Sequence, residues 1–173
     1  EWCTQCYVSN AYGPTEALCV TCKEMSAADE EVSIGRPLTN YTCYVLDTHA
    51  QLLPIGMAGE LHIGGAGLAR GYLGDAELTE SRFIPHPADA TKRLYLTGDR
   101  GRINSSGQVE FFGRTDHQVK LQGYRIELGE IEAAIESHLG VDRAAVKIGD
   151  AGSPNAKLVA LASPLSEKST SEK

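Results

Sequence analysis

The apolar residues of this chain come in short runs, and nearly every run is closed by glycine, proline, asparagine or aspartate. Such punctuation favours strands joined by tight turns, because a helix needs an uninterrupted apolar stripe over three or more turns. The pattern predicts strands near 6–9, 18–23, 41–47, 60–64, 93–97 and 108–113, each rich in β-branched or aromatic residues. Asn104-Ser105-Ser106-Gly107 reads as a hairpin turn between 101–103 and 109–112. A short helix is expected over Asp75 to Phe83. One segment breaks the rhythm: Leu128, Ile131, Ile135 and Leu139 recur at helical spacing, and Gly140 supplies a stop. Strands at 143–148 and 158–162 follow, then a tail of serine, glutamate and lysine that is expected to be disordered.

The fold class is therefore α+β. Hairpins precede Asp116 and a small α/β pattern follows it, which divides the chain into 1–115, 116–163 and a tail over 164–173. At 173 residues with 42% hydrophobic residues, the chain is about one domain by length and can bury a core. The net charge of −7, with no basic stripe, argues against nucleic acid as the main partner. No apolar run reaches the roughly 20 residues of a membrane span, and no signal-peptide pattern opens the chain. Together with an odd count of five cysteines, this points to reduced thiols in the cytoplasm.

Two CxxC pairs, Cys3/Cys6 and Cys19/Cys22, stand near zinc-ribbon spacing. Neither has the glycine or proline that turns a zinc knuckle. Cys19 and Cys22 lie in an apparent strand that sends them to opposite faces, so no zinc is expected. A zinc-stabilised binding module built on these four thiols is the alternative.

Four segments carry chemistry. Asn10-Ala11-Tyr12-Gly13-Pro14-Thr15-Glu16 is a tight turn beside an aromatic. It is suited to stacking a base on Tyr12, offering Thr15 to a phosphate oxygen and Glu16 to Mg²⁺, or to being a plain turn. Gly59 to Tyr72 contains Gly65-Ala66-Gly67, but Arg70 stands where a dinucleotide loop needs its third glycine. That segment reads as glycine turns between barrel strands. Tyr95-Leu96-Thr97-Gly98-Asp99 puts an acid after a strand, where it can accept from a ribose diol. Gly113 to Glu132 joins basic residues on a glycine-containing hairpin to the start of the amphipathic helix.

In order and spacing, these segments resemble the adenylation domains of nonribosomal peptide synthetases, within the adenylate-forming superfamily. Gly13-Pro14-Thr15-Glu16 and Lys120 to Glu132 favour the peptide-synthetase branch, and the Gly-Pro-Thr-Glu turn stands against acyl-CoA ligases; an adenylation-linked reductase is the other enzyme alternative. The resemblance implies a barrel-like remnant of the large lobe followed by the start of the small C-terminal lobe. It implies that Tyr12 stacks on adenine, Thr15 touches phosphate and Glu16 holds Mg²⁺. Asp99 would bind the ribose hydroxyls, with Arg114 beside ribose or phosphate, and Phe111 replaces the usual tyrosine at the nucleotide. Ala11, Cys19 and Val20 match the amino-acid pocket. Asp116 matches the hinge, and Lys120, Gly123 and Arg125 the hairpin that shapes the pantetheine tunnel. The implied ligands and partners are an amino acid, ATP, Mg²⁺ and a peptidyl carrier domain bearing phosphopantetheine. The family's triphosphate-gripping loop, amino-group anchor and late lysine have no counterparts here, so the chain is expected to be an internal piece that is inactive alone.

Overall fold

Glycine and proline punctuation produces a strand-dominated structure, 51% strand and 11% helix among the described residues. The computed structural model describes residues 3, 5–29, 33–115, 118–122, 124–150, 153 and 155–164. Contacts divide the chain into two compact units, Glu1–Thr115 and Asp116–Lys173.

The first unit opens with a three-stranded antiparallel sheet: β1 (Val8–Tyr12), β2 (Thr21–Met25) and β3 (Arg36–Pro37), in that order. Its second sheet has five strands: β4 (Tyr41–Leu46), β5 (Gly59–Gly65), β6 (Phe83–His86), β7 (Asp89–Ile103) and β8 (Val109–Arg114). The order is β4-β5-β7-β6, with β8 also on β7. All these pairings are antiparallel. The sheet stays open and no barrel closes. Helix α1 (Ala76–Arg82) leads directly into β6, and its N-cap Asp75 accepts from the Leu78 amide at 2.9 Å.

Strand β7 is far longer than the segment around 93–97 that its composition suggests. Its first half pairs with β6 and its second half with β8, while β5 runs along it on the other side. The partners extend it, since ladder hydrogen bonds satisfy backbone groups that local propensity leaves neutral. β1 likewise begins and ends later than expected, so Asn10, Ala11 and Tyr12 lie on a strand. β2 starts at Thr21, which leaves Cys19 and Val20 in the loop before it.

Alternation along β4 and β5 sends Val45, Leu61 and Ile63 to one face. Val45 and Leu61 meet Ile34 and Val109 in one cluster; Ile63 meets Ala17, Val20, Phe83 and Tyr95 in the other. Ile34 also donates its amide to Val109 O, and Val109 to Gly35 O, both at 2.8 Å, which ties the segment before β3 to β8.

The second unit contains the hairpin β9 (Gln118–Leu121) and β10 (Tyr124–Glu127), helix α2 (Leu128–Glu136), and the hairpin β11 (Val141–Gly149) and β12 (Lys157–Pro164). The side chains of register partners Gln118 and Glu127 are hydrogen-bonded. α2 ends at Ser137, earlier than the apolar stripe suggests, and Leu139 is 92% exposed. Gly140 sits at φ 97°. Glu132 and Glu136 accept from the Val146 and Ala144 amides at 2.8 and 2.9 Å and so dock α2 on β11. Strand β12 reaches Pro164, one residue into the stretch assigned to the tail.

Leu61 is buried and Leu73 fully exposed. Leu61→Ala should therefore cost about 2–5 kcal/mol of unfolding free energy. Leu73→Ala should stay within about 0.5 kcal/mol. Urea unfolding followed by circular dichroism checks this, and equal effects would contradict the core described.

Candidate functional site

Tyr12 ends β1, and the chain turns back immediately. The Val20 amide donates to Tyr12 O at 2.8 Å and the Ala17 amide to Pro14 O at 3.0 Å. Gly13 is required for space: a Cβ there would lie 1.6 Å from the Leu18 carbonyl oxygen. Outside groups hold the turn as well. The Tyr41 hydroxyl donates to Ala17 O at 2.7 Å and the Ala69 amide to Glu16 O at 2.8 Å. Ala17 is buried beneath the turn, while Thr15 is exposed and Glu16 half-buried.

Asp99 comes from a different element. Between Glu60 and His62 the β5–β7 register shifts, and Thr97, Gly98 and Asp99 bulge opposite Leu61. Gly98 makes the bulge possible with φ 71°. The Thr97 hydroxyl donates to Leu61 O at 2.7 Å and accepts from the Asp99 amide at 2.9 Å. The Gly98 amide donates to Glu60 Oε1 at 3.1 Å. The bulge is thus fully bonded, and it aims the Asp99 carboxyl at β1 and β8.

Asp99 is only 6% exposed, and a carboxylate so buried needs donors. Arg114 Nη1 donates to Oδ1 at 2.7 Å, and the Tyr12 hydroxyl to Oδ2 at 2.5 Å. The second Arg114 nitrogen donates to Thr97 O at 3.1 Å. Burial first, and the Asp99 charge second, push the Tyr12 phenol far above its ordinary range, so it stays a donor. Phe111 stands 42% exposed beside Tyr12, ring centroids 6.2 Å apart and tilted by 43°. The result is a half-open aromatic pair over a buried, charge-compensated acid.

A surface hollow of about 510 Å³ adjoins this group, lined by Ala11, Tyr12, Gly13, Pro14, Thr15, Leu18 and Cys19. Cys19 is exposed at its edge, whereas Val20 is fully buried in the cluster with Ala17 and Tyr95. Cys3, Cys19, Cys22 and Cys43 are free thiols. Burial raises the Cys43 thiol to about 12.

Residues 1–73 match the family described as AMP-binding enzyme. Phosphinothricin tripeptide synthetase PhsC of Streptomyces viridochromogenes is 48% identical over 155 residues, covering 88% of this chain and 14% of that protein. Bacitracin synthase 3 of Bacillus licheniformis is 50% identical over 138 residues, 79% of this chain and 2% of that one. A solved structure of PA1221, a nonribosomal peptide synthetase protein containing adenylation and PCP domains, superposes with a TM-score of 0.79. It is 31% identical, over 93% of this chain and 34% of its own. The chain belongs to the AMP-binding, adenylate-forming family. Within that family its sequence and fold match the adenylation domains of nonribosomal peptide synthetases. It spans a small part of the length of the relatives it matches.

In this adenylation segment Tyr12, Asp99, Phe111 and Arg114 come together, with Thr15, Glu16, Ala11 and Cys19 on the adjoining turn and hollow. Lys120 and Arg125 are register partners across the β9–β10 hairpin. Asp116 and Gly123 lie outside the described residues. The sequence reading missed Tyr41, Thr97, Glu60 and Tyr72, which hold the site residues by hydrogen bonds. Glu60, Tyr72 and Thr97 fall within glycine-containing motifs, whereas nothing in the local sequence marks Tyr41.

Arg114→Leu should cost about 3 kcal/mol of stability, because it leaves the buried Asp99 charge under-compensated. Tyr12→Phe, which removes one hydrogen bond to a charged acceptor, should cost about 1.5–3 kcal/mol. Combined in a double-mutant cycle the two should be non-additive; strict additivity in denaturant unfolding would argue that they do not share Asp99.

Proposed function

We propose that the protein carrying this segment activates an amino acid with ATP and hands the aminoacyl group to the pantetheine thiol of a peptidyl carrier domain. The observation that carries this reading is the buried Asp99 under the Tyr12–Phe111 pair, beside the Thr15-Glu16 turn, in an AMP-binding chain. A half-open aromatic pair gives an adenine ring a stacking surface. A carboxylate still has lone pairs for ribose hydroxyls after accepting two donors. Ala11 and Cys19 on the hollow suit contact with the amino-acid side chain, and the buried Val20 would act through packing.

The site residues also suit Mg²⁺. Thr15 and Glu16 supply a hydroxyl and a carboxylate, hard oxygen donors that bind this ion together with substrate phosphates. When bound, Mg²⁺ would neutralise charge on the triphosphate. The substrate carboxylate attacks the α-phosphorus, pyrophosphate leaves, and the protein contributes positioning and charge stabilisation. Thr15 would orient a phosphate oxygen, Glu16 would hold the cation, and Arg114 would steady Asp99 and the ribose edge. The carrier thiol then displaces AMP from the acyl carbonyl after a rearrangement about Asp116, with Lys120, Gly123 and Arg125 lining the pantetheine path. No zinc belongs to this reading, and elemental analysis of chelator-washed protein tests that. Among the described residues no group of three or more His, Cys, Asp or Glu side chains could hold a metal ion. The free thiols of Cys3, Cys19, Cys22 and Cys43 fit a cytoplasmic enzyme. No helix among the described residues is long and apolar enough to cross a membrane.

Amino-acid-dependent exchange of pyrophosphate into ATP tests the first half-reaction and carrier loading the second. The 173-residue chain alone should show no exchange and the complete adenylation domain robust exchange. In the complete domain, Asp99→Asn should raise the KM for ATP about tenfold, since a neutral amide is a weaker acceptor for two hydroxyls. Asp116→Pro should spare exchange and impair loading, because a fixed φ cannot rotate. Equal losses in both assays would remove the case for a hinge there.

A further inference from the structure

The glycine-rich stretch from Gly65 to Tyr72 reads in the sequence as turns between strands. Its end, however, grips Glu16 twice. The Ala69 amide donates to the Glu16 carbonyl at 2.8 Å, and the Tyr72 hydroxyl donates to Glu16 Oε1 at 2.7 Å. Nothing in the local sequence links these residues, which lie 56 positions apart.

Tyr72 is itself anchored along its length. Its backbone amide donates to the Thr79 hydroxyl of α1 at 2.8 Å, and that hydroxyl donates to Asp75 O at 2.7 Å. Gly71 allows the approach, since a Cβ there would lie 2.4 Å from Thr79 Cγ2. The Tyr72 ring meets Phe83 edge-on, centroids 5.9 Å apart. The Arg93 guanidinium lies 5.4 Å from the centre of the Phe83 ring and donates to Ala69 O and Arg70 O at 3.1 and 3.0 Å. The hydroxyl is thus a donor on a fixed stem.

A glutamate has three rotatable side-chain bonds, and holding it in one conformation costs on the order of 1.5–2 kcal/mol of rotamer entropy. A tyrosine has two, and here both are settled by packing. We propose that Tyr72 is a positioning residue: it fixes the Glu16 carboxylate in the orientation from which it meets the divalent cation on the triphosphate. The inference rests on the reading of Glu16 as the cation-facing acid. It gives the stretch from Gly65 to Tyr72 a part in the reaction that its glycine pattern does not suggest. Thr79 acts one step further out, by holding the Tyr72 backbone.

The test uses the complete adenylation domain, with Mn²⁺ as a paramagnetic probe. Free Mn²⁺ is counted by electron paramagnetic resonance during titration in the presence of ATP, and pyrophosphate exchange is followed against Mg²⁺ concentration. Tyr72→Phe should raise the half-saturating concentration of either ion roughly tenfold, the change expected for one hydrogen bond to a charged acceptor. Exchange at saturating Mg²⁺ should recover to near the parent rate, and the thermal midpoint should stay within about 2 °C. Thr79→Val should move the half-saturation the same way by a smaller factor. Glu16→Gln should weaken both titrations, and adding Tyr72→Phe to it should change nothing further. If Glu16→Gln weakens the ion and both Tyr72→Phe and Thr79→Val titrate like the parent, the positioning role is overturned and the reading of Glu16 stands. If Glu16→Gln itself leaves both titrations unchanged, the reading of Glu16 falls and the positioning role with it.

Discussion

A carboxylate removed from water must be repaid in hydrogen bonds, and in this chain Asp99 is where that requirement organises the structure. The acid sits on β7, its donors are Tyr12 on β1 and Arg114 on β8, and these elements are far apart in sequence. The side chain therefore links the small three-stranded sheet to the five-stranded one. The bulge that aims it depends in turn on Gly98, on the Thr97 hydroxyl and on Glu60 across the ladder. Removing any one of these does not simply delete a contact; it leaves a buried charge facing the wrong way.

The loops around the site share the same construction. The turn after Tyr12 and the stretch from Gly65 to Tyr72 carry little regular structure. Yet their backbone groups are held by Tyr41, Ala69, Thr79 and Arg93. Functional residues sit preferentially on loops braced by a rigid scaffold. Here the bracing is done by the polar side chains of Tyr41, Thr79 and Arg93 reaching backbone atoms, and by the Ala69 backbone amide. Apolar burial supplies the platform beneath, through Ala17, Val20, Ile63, Phe83 and Tyr95. The hollow at Ala11 and Cys19 lies on that platform, so its shape follows from core packing as much as from its own lining.

The second unit solves a smaller problem differently. α2 offers a weak apolar stripe, with Leu128 its buried member. Two glutamates on the helix bond amides of β11, which replaces part of the missing apolar contact with charge-assisted hydrogen bonds.

Local chemistry in the sequence determined much of the outline. Turn residues located most strands, Asn104-Ser105-Ser106-Gly107 located a hairpin whose Asn104 side chain bonds Ser106 and Gln108, and Gly140 marked the turn into β11, three residues after the Ser137 cap of α2. Four motifs in order were enough to point to the adenylation family, because turn geometry and residue chemistry are written in consecutive positions. Other features were decided only by the tertiary structure. The length of β7 and the openness of its sheet came from strand partners. That Val20 is buried while its neighbour Cys19 is exposed came from the backbone path of one turn. The meeting of Tyr12 with Asp99, 87 residues away, and of Tyr72 with Glu16 could not be read in advance. Periodicity reports which face a residue occupies, but the partner across that face is chosen by register and by the long-range packing that sets it.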